Sequence, residues 1–235
     1  MAGNRCSRRR VTPLWWPEPS CSDGSGASTT SPAVGDRRYP APVADDDAKR
    51  TLHGYLRKAR EAMVWKLDGL SEYDVRRPLT PTGTNLLGLV KHLSIVEAGY
   101  FGKTFDRPFA EDLPWWDEGA EEQIDMWVTA DETRAEIVGR YRRVWLHADV
   151  TIDDLPTDSP GHVPWWSEPD VTLHTMLVHV LAETNRHAGH ADILREQLDG
   201  SVGMRSDNSN VPEHDAAGWA ELRDRIEQAA RTAGS

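Results

Sequence analysis

The sequence predicts an all-α fold: a four-helix bundle with a short additional C-terminal helix and a disordered N-terminal tail. Three observations predict it. Apolar residues recur at helical spacing in four long segments, no segment alternates as a strand would, and Pro-rich connections separate the segments. The tail is expected over residues 1–45 and the bundle domain over residues 46–235.

Each element has its own justification. Ser22 to Pro42 is mostly Ser, Gly, Ala, Thr and Pro, with almost nothing to bury. Trp15 and Trp16 read as part of this tail rather than as a docking motif. Asp45, Asp46 and Asp47 place acids at the start of the first helix. Leu52, Leu56, Ala59 and Met63 carry that helix to about Leu70. Thr84 or Asn85 caps the second, whose face is Leu86, Leu89, Leu93, Val96 and Tyr100, ending near Lys103. The third starts near Thr129 or Asp131, carries Ile137, Val138, Tyr141, Val144 and Trp145, and ends around Val150. Asp170 caps the fourth, which runs to about Leu198 and stops at Gly200. Pro212 to Ala230 forms the fifth, with Trp219 and Leu222. The two long connections share Pro-Trp-Trp, at Pro114–Trp116 and Pro164–Trp166. Such aromatic pairs either clip a loop onto the bundle end or line the mouth of a pocket.

Composition limits the function. The formal net charge is -11. Residues 1–40 hold six Arg and three Asp or Glu, whereas residues 41–235 hold 21 Lys or Arg and 35 Asp or Glu. A body this acidic argues against nucleic-acid binding and against docking on anionic membranes. No apolar run approaches the ~20 residues of a membrane span. Arg8-Arg9-Arg10 is followed by Pro13, Pro17 and Pro19, which rules out a helical export segment. Cys6 and Cys21 both lie in the tail, so no disulfide framework supports the fold, and a reducing, cytoplasmic location is expected. Arg outnumbers Lys 22 to 5, which points to a GC-rich genome such as that of an actinobacterium.

One stretch concentrates chemistry: Glu183-Thr184-Asn185-Arg186-His187-Ala188-Gly189-His190. Residues four apart share a helix face, so Glu183 and His187 stack, with His179 one turn before and His190 three residues after. At ~100° per residue, Glu183 and His187 overlap the apolar stripe of Met176, Val180, Ala191 and Leu194. His179 and His190 sit toward its edge. An inward carboxylate is costly to bury unpaired, and a metal satisfies it together with the imidazole. His92, between Leu89 and Val96 on the second helix, is the best third ligand. His53 lies near a helix start, His147 and His174 fall off their apolar faces, and His162 and His214 sit in or beside loops. Two imidazoles and a carboxylate leave open positions, as a catalytic Zn²⁺ or Fe²⁺ site does. A hydrogen-bonded cluster without metal is the alternative.

The pattern Leu89-Val90-Lys91-His92-Leu93 together with Glu183 to His190 resembles the DinB/YfiT-like superfamily of metal-binding four-helix bundles, in an actinobacterial branch. The resemblance covers roughly residues 48–200 and extends toward the fifth helix. Many members carry three His ligands, one on helix two and two spaced four apart on the last bundle helix. Here His92 and His187 match the first and third, and Glu183 stands where the second His often is. Mycothiol-dependent maleylpyruvate isomerases, which are similar, use His, Glu and His in this arrangement. His190 stands where a Gln often follows the last ligand, which implies an outer-sphere or proton-moving role.

The resemblance implies a divalent metal, with Zn first and Ni or Fe as alternatives, and a low-molecular-weight thiol such as mycothiol as co-substrate. The metal lowers the thiol's pKa and the thiolate attacks a small electrophile, in S-transfer or isomerisation. Two other readings stay open: a metal-dependent hydrolase that activates water, and a non-catalytic metal- or ligand-binding bundle linked to stress. A homodimer through helix faces is a further expectation, with no surface identified.

Overall fold

The computed structural model describes residues 45–114 and 119–234. Residues 1–44 of the expected tail, with Cys6, Cys21, Trp15 and Trp16, lie outside them, as do Trp115 and Trp116, whereas Asp45 belongs to the first helix. The described chain is mainly helical: α1 (Asp45–Trp65), α2 (Glu72–Arg76), α3 (Leu86–Tyr100), α4 (Arg134–Asp154), α5 (Leu173–Asp199) and α6 (Ala216–Ala233). The all-α class holds. One antiparallel ribbon, β1 (Pro160–His162) with β2 (Asp170–Thr172), corrects the expectation of no strand. Each of its strands has three residues, too few for a period of two to register in the sequence.

Caps place the helix ends, and they explain where the sequence-based boundaries shift. Ser71 accepts from the Asp74 amide and starts α2, so the first helical segment ends at Trp65 rather than near Leu70. Asn85 caps α3 by accepting from the Gly88 amide. Thr133 and Glu136 form a capping box that starts α4. The earlier candidates, Thr129 and Asp131, bond to each other instead. Thr172 caps α5 because Asp170 is taken up in the ribbon opposite His162. Gly200 ends α5 with φ 78°, a left-handed conformation that favours glycine. Asp215 starts α6 by accepting from the Gly218 amide, and no residue of α6 is buried.

Helix α5 packs along α1 and α3, and α3 packs along α4. Helix α3 is buried nearly all round, through Leu86, Leu87, Leu89, Val90 and Leu93, as suits a central helix. The apolar core falls into two main clusters. One gathers Met63, Leu89, Leu93, Tyr141 and Ala191, and the other Leu56, Phe101, Ala148, Met176 and Val180. Along the helices, polar residues fall between the two. Arg60 lies between Leu56 and Met63, Glu97 between Leu93 and Phe101, and Glu183 with His187 between Val180 and Ala191. A polar belt therefore crosses the middle of the core, and the candidate site lies in it.

The Pro164–Trp166 connection is fixed by its aromatics. Trp165 and Trp166 lie 6.0 and 5.8 Å from the Tyr100 ring, and Trp166 lies 4.8 Å from His179. These contacts tie the connection to α3 and α5, as a clip does, and they lie one helical turn from Glu183, where a pocket mouth would also be lined. Its counterpart at Trp115 and Trp116 is outside the described residues.

Candidate metal centre

Helices α3 and α5 bring three side chains together. The ligand atoms of His92, Glu183 and His187 lie within 4.8 Å of one another, the one such group of three among the described residues. His187 Nε2 donates to Glu183 Oε1 at 3.0 Å, the i,i+4 contact that helical phase predicts. His92 Nε2 faces the same oxygen at 3.8 Å, and its ring centroid lies 5.0 Å from that of His187. The His92 and Glu183 side chains are 15% and 14% exposed, so the group is largely removed from water yet reachable.

The electrostatics follow from this packing. Burial pushes the Glu183 carboxyl up, but the hydrogen bond from His187 and the nearby His92 imidazole outweigh it and hold it well below the usual carboxylate range. Burial pushes His92 down, yet the hydrogen bond to Asp125 and the nearby Glu183 carboxylate prevail and raise it to about 9. At His187 burial wins over the Glu183 hydrogen bond, and its pKa is lowered. The Glu183 carboxylate is thus hydrogen-bonded by His187, with His92 as a second imidazole close by.

Two more histidines of α5 lie at the rim. His190 is exposed, with its ring 5.4 Å from that of His187. His179 packs edge-on against Tyr100 at 4.7 Å, in the aromatic cluster that fixes the second connection. Two of the residues set aside as ligands are occupied elsewhere: His53 donates to Asp149 at 2.7 Å, and His147 donates to the Arg107 carbonyl at 2.7 Å.

The donor set suits a divalent ion such as Zn²⁺. It offers nitrogen and oxygen ligands. The atoms that converge are the Nε2 of His92 and of His187 around one Glu183 oxygen, so a single ion there would meet both imidazoles and the carboxylate.

Comparison with known families decides the lineage. The family model described as Mycothiol-S-transferase matches residues 51–200. The chain belongs to that family. The match agrees with the DinB/YfiT-like resemblance drawn from the His92 and Glu183–His190 patterns. It contains His92, Glu183, His187 and His190, and it stops at Gly200, before α6. A comparison with curated proteins returns no match. No helix of the described residues is long and apolar enough to cross a membrane.

Sequence reasoning missed Asp125. Its Oδ2 accepts from His92 Nδ1 at 2.6 Å. It sits in a short 3₁₀ turn, Ile124–Met126, within the long connection between α3 and α4. It also missed a second polar centre in the belt. Arg60 donates to Glu97 at 2.6 Å and to Asp149 at 2.6 Å, and Tyr141 Oη donates to Glu97 at 3.1 Å. The signal available for that centre was Glu97 standing among the apolar residues of α3.

Proposed function

We propose that this protein is a metal-dependent S-transferase that joins a mycothiol-type thiol to a small electrophile, with α1, α3, α4 and α5 arranged as a four-helix bundle. The observation that carries the reading is the convergence of His92, Glu183 and His187 in a member of the Mycothiol-S-transferase family. These three residues would hold the ion. Bound there, a divalent ion would supply Lewis acidity that lowers the pKa of a thiol at an open position.

The chain's own residues supply the rest. Two helices hold the three side chains, so the site is positioned by rigid elements rather than by a loop. The belt's burial limits competing water. His190, exposed beside His187, receives the thiol proton, since an imidazole takes and gives a proton near neutral pH. The thiol sulfur then forms a C–S bond to the electrophile as the leaving group departs with its bonding electrons. In an isomerisation the sulfur is itself the later leaving group. The acidic body suits a small neutral electrophile and a cytoplasmic thiol, with no part for nucleic acid or membrane.

The test is metal content by elemental mass spectrometry on untagged wild type and His187→Ala. About one equivalent of Zn, Ni or Fe in wild type, absent from the variant, supports the site. Thiol consumption in the presence of an electrophile then tests the transfer. Turnover without added thiol would instead favour hydrolysis. A wild type that binds no metal after reconstitution with each ion would overturn the reading.

A further inference from the structure

The connection between α3 and α4 is built onto one face of α3. Asn85 Nδ2 donates to the Met126 carbonyl at 3.2 Å. Lys91 Nζ, on a fully buried side chain, donates to the Trp127 carbonyl at 3.0 Å and to Glu132 at 2.9 Å. Gly88 lets the backbones meet, because a Cβ there would sit 1.9 Å from the Met126 carbonyl oxygen. Gln123 takes a left-handed φ of 63° as the chain enters the Ile124–Met126 turn. A non-glycine residue keeps such a conformation only where its surroundings hold it.

What this clamp delivers is a single carboxylate. Asp125 Oδ2 lies 2.6 Å from His92 Nδ1, while His92 Nε2 points at Glu183. A neutral imidazole that donates Nδ1–H to a carboxylate has its ring plane fixed and its Nε2 lone pair aimed the other way, so from the protonated ring the Nε2 proton is the one an arriving metal ion displaces. Metal-bound histidines are commonly held in this manner.

We infer that Asp125 is a positioning residue for metal binding: in the metal-loaded protein it holds His92 as the Nδ1–H tautomer, with the Nε2 that faces Glu183 left to the ion. Asn85, Gly88 and Lys91 form the clamp that keeps Asp125 there. The connection between α3 and α4 is therefore part of the site, although it contributes no ligand. This inference rests on the metal reading above.

The experiment compares wild type, Asp125→Asn and Asp125→Ala. Zn²⁺ affinity is measured by competition with a chromophoric chelator, and the Co²⁺-loaded visible spectrum reports ligand geometry. Asn keeps an oxygen to accept from Nδ1–H but loses the charge, whereas Ala removes the acceptor. The expected order is wild type, then Asn, then Ala, with Ala weaker by about 10–100-fold and its Co²⁺ spectrum altered. Long-range ¹H–¹⁵N NMR of the Zn²⁺-loaded protein is expected to find His92 protonated at Nδ1. Thermal unfolding of the metal-free proteins establishes that both variants fold. If Ala unfolds, the Asn variant and the wild-type NMR signal decide. Equal Zn²⁺ affinity in all three proteins, an unchanged Co²⁺ spectrum, or His92 protonated at Nε2 overturns the inference while leaving the metal reading standing. A wild type that binds neither ion overturns both.

Discussion

Removing Arg60 tests whether the polar belt is charge-balanced as its geometry indicates. The guanidinium donates to Glu97 through Nε at 3.1 and 2.9 Å and through Nη2 at 2.6 Å. The Glu97 side chain is 0% exposed. In Arg60→Met the apolar stem is largely replaced, so the cavity contribution is small. Glu97 is left with Tyr141 as its remaining hydrogen-bond donor. Breaking a buried pair on one side costs about 3–5 kcal/mol, because the other charge stays buried without compensation. With an m-value of about 2 kcal/mol per M urea, the unfolding midpoint falls by roughly 1.5–2.5 M. The double variant Arg60→Met with Glu97→Met removes both charges and is expected within about 1–2 kcal/mol of wild type. Asp149 retains His53 and Arg57 in both variants. A single variant that loses less than about 1 kcal/mol, or a double variant less stable than the single, would refute the reasoning.

Three further outcomes follow from the same geometry. Burial pushes Asp149 up, but His53 and Arg60 prevail and bring it from 3.8 to about 2. A carboxylate depressed on folding stabilises above its unfolded pKa and loses that stability as pH falls toward its folded one. About 2 kcal/mol is therefore expected to disappear between about pH 4 and pH 2. Urea midpoints at both ends of that window, compared with Asp149→Asn, measure it, and an identical pH slope in the variant would count against it. Gly88→Ala drives a Cβ into the Met126 carbonyl, so it is expected to cost about 1–3 kcal/mol in thermal unfolding. Thr133→Ala removes the capping box of α4 and is expected to cost about 1 kcal/mol, with α4 amide exchange rising in its first turn.

Much of this was legible in the sequence, and the rest was hidden for physical reasons. Helical phase alone put Glu183 and His187 on one inward face, and the structure places them 3.0 Å apart. His92 was legible because an imidazole stood on the apolar stripe of α3. Asp125 was not, since it lies in a connection without periodicity and meets His92 across 33 residues. Arg60 and Glu97 were hidden for a different reason. A single charge beside an apolar stripe reads as the stripe's edge, and only the pairing of two helices makes it an interior ion pair. The ribbon β1–β2 escaped because Asp170 is as good a cap in sequence as Thr172, and strand pairing decides between them.

The belt holds two buried or nearly buried carboxylates, and they are balanced differently. Glu97 faces a guanidinium, which stays charged at any pH a protein experiences. Its environment is closed, with Tyr141 as a further donor and no exposed surface. Such a pair is a poor investment in stability compared with apolar packing, yet it fixes how α1, α3 and α4 meet. Glu183 faces imidazoles, which can give up a proton. One is raised and the other lowered. A permanent counter-ion makes a structural joint, whereas a counter-ion that can shed its proton leaves a place for another cation. That difference, within one layer of one core, is the physical reason to look for the metal at Glu183 and not at Glu97.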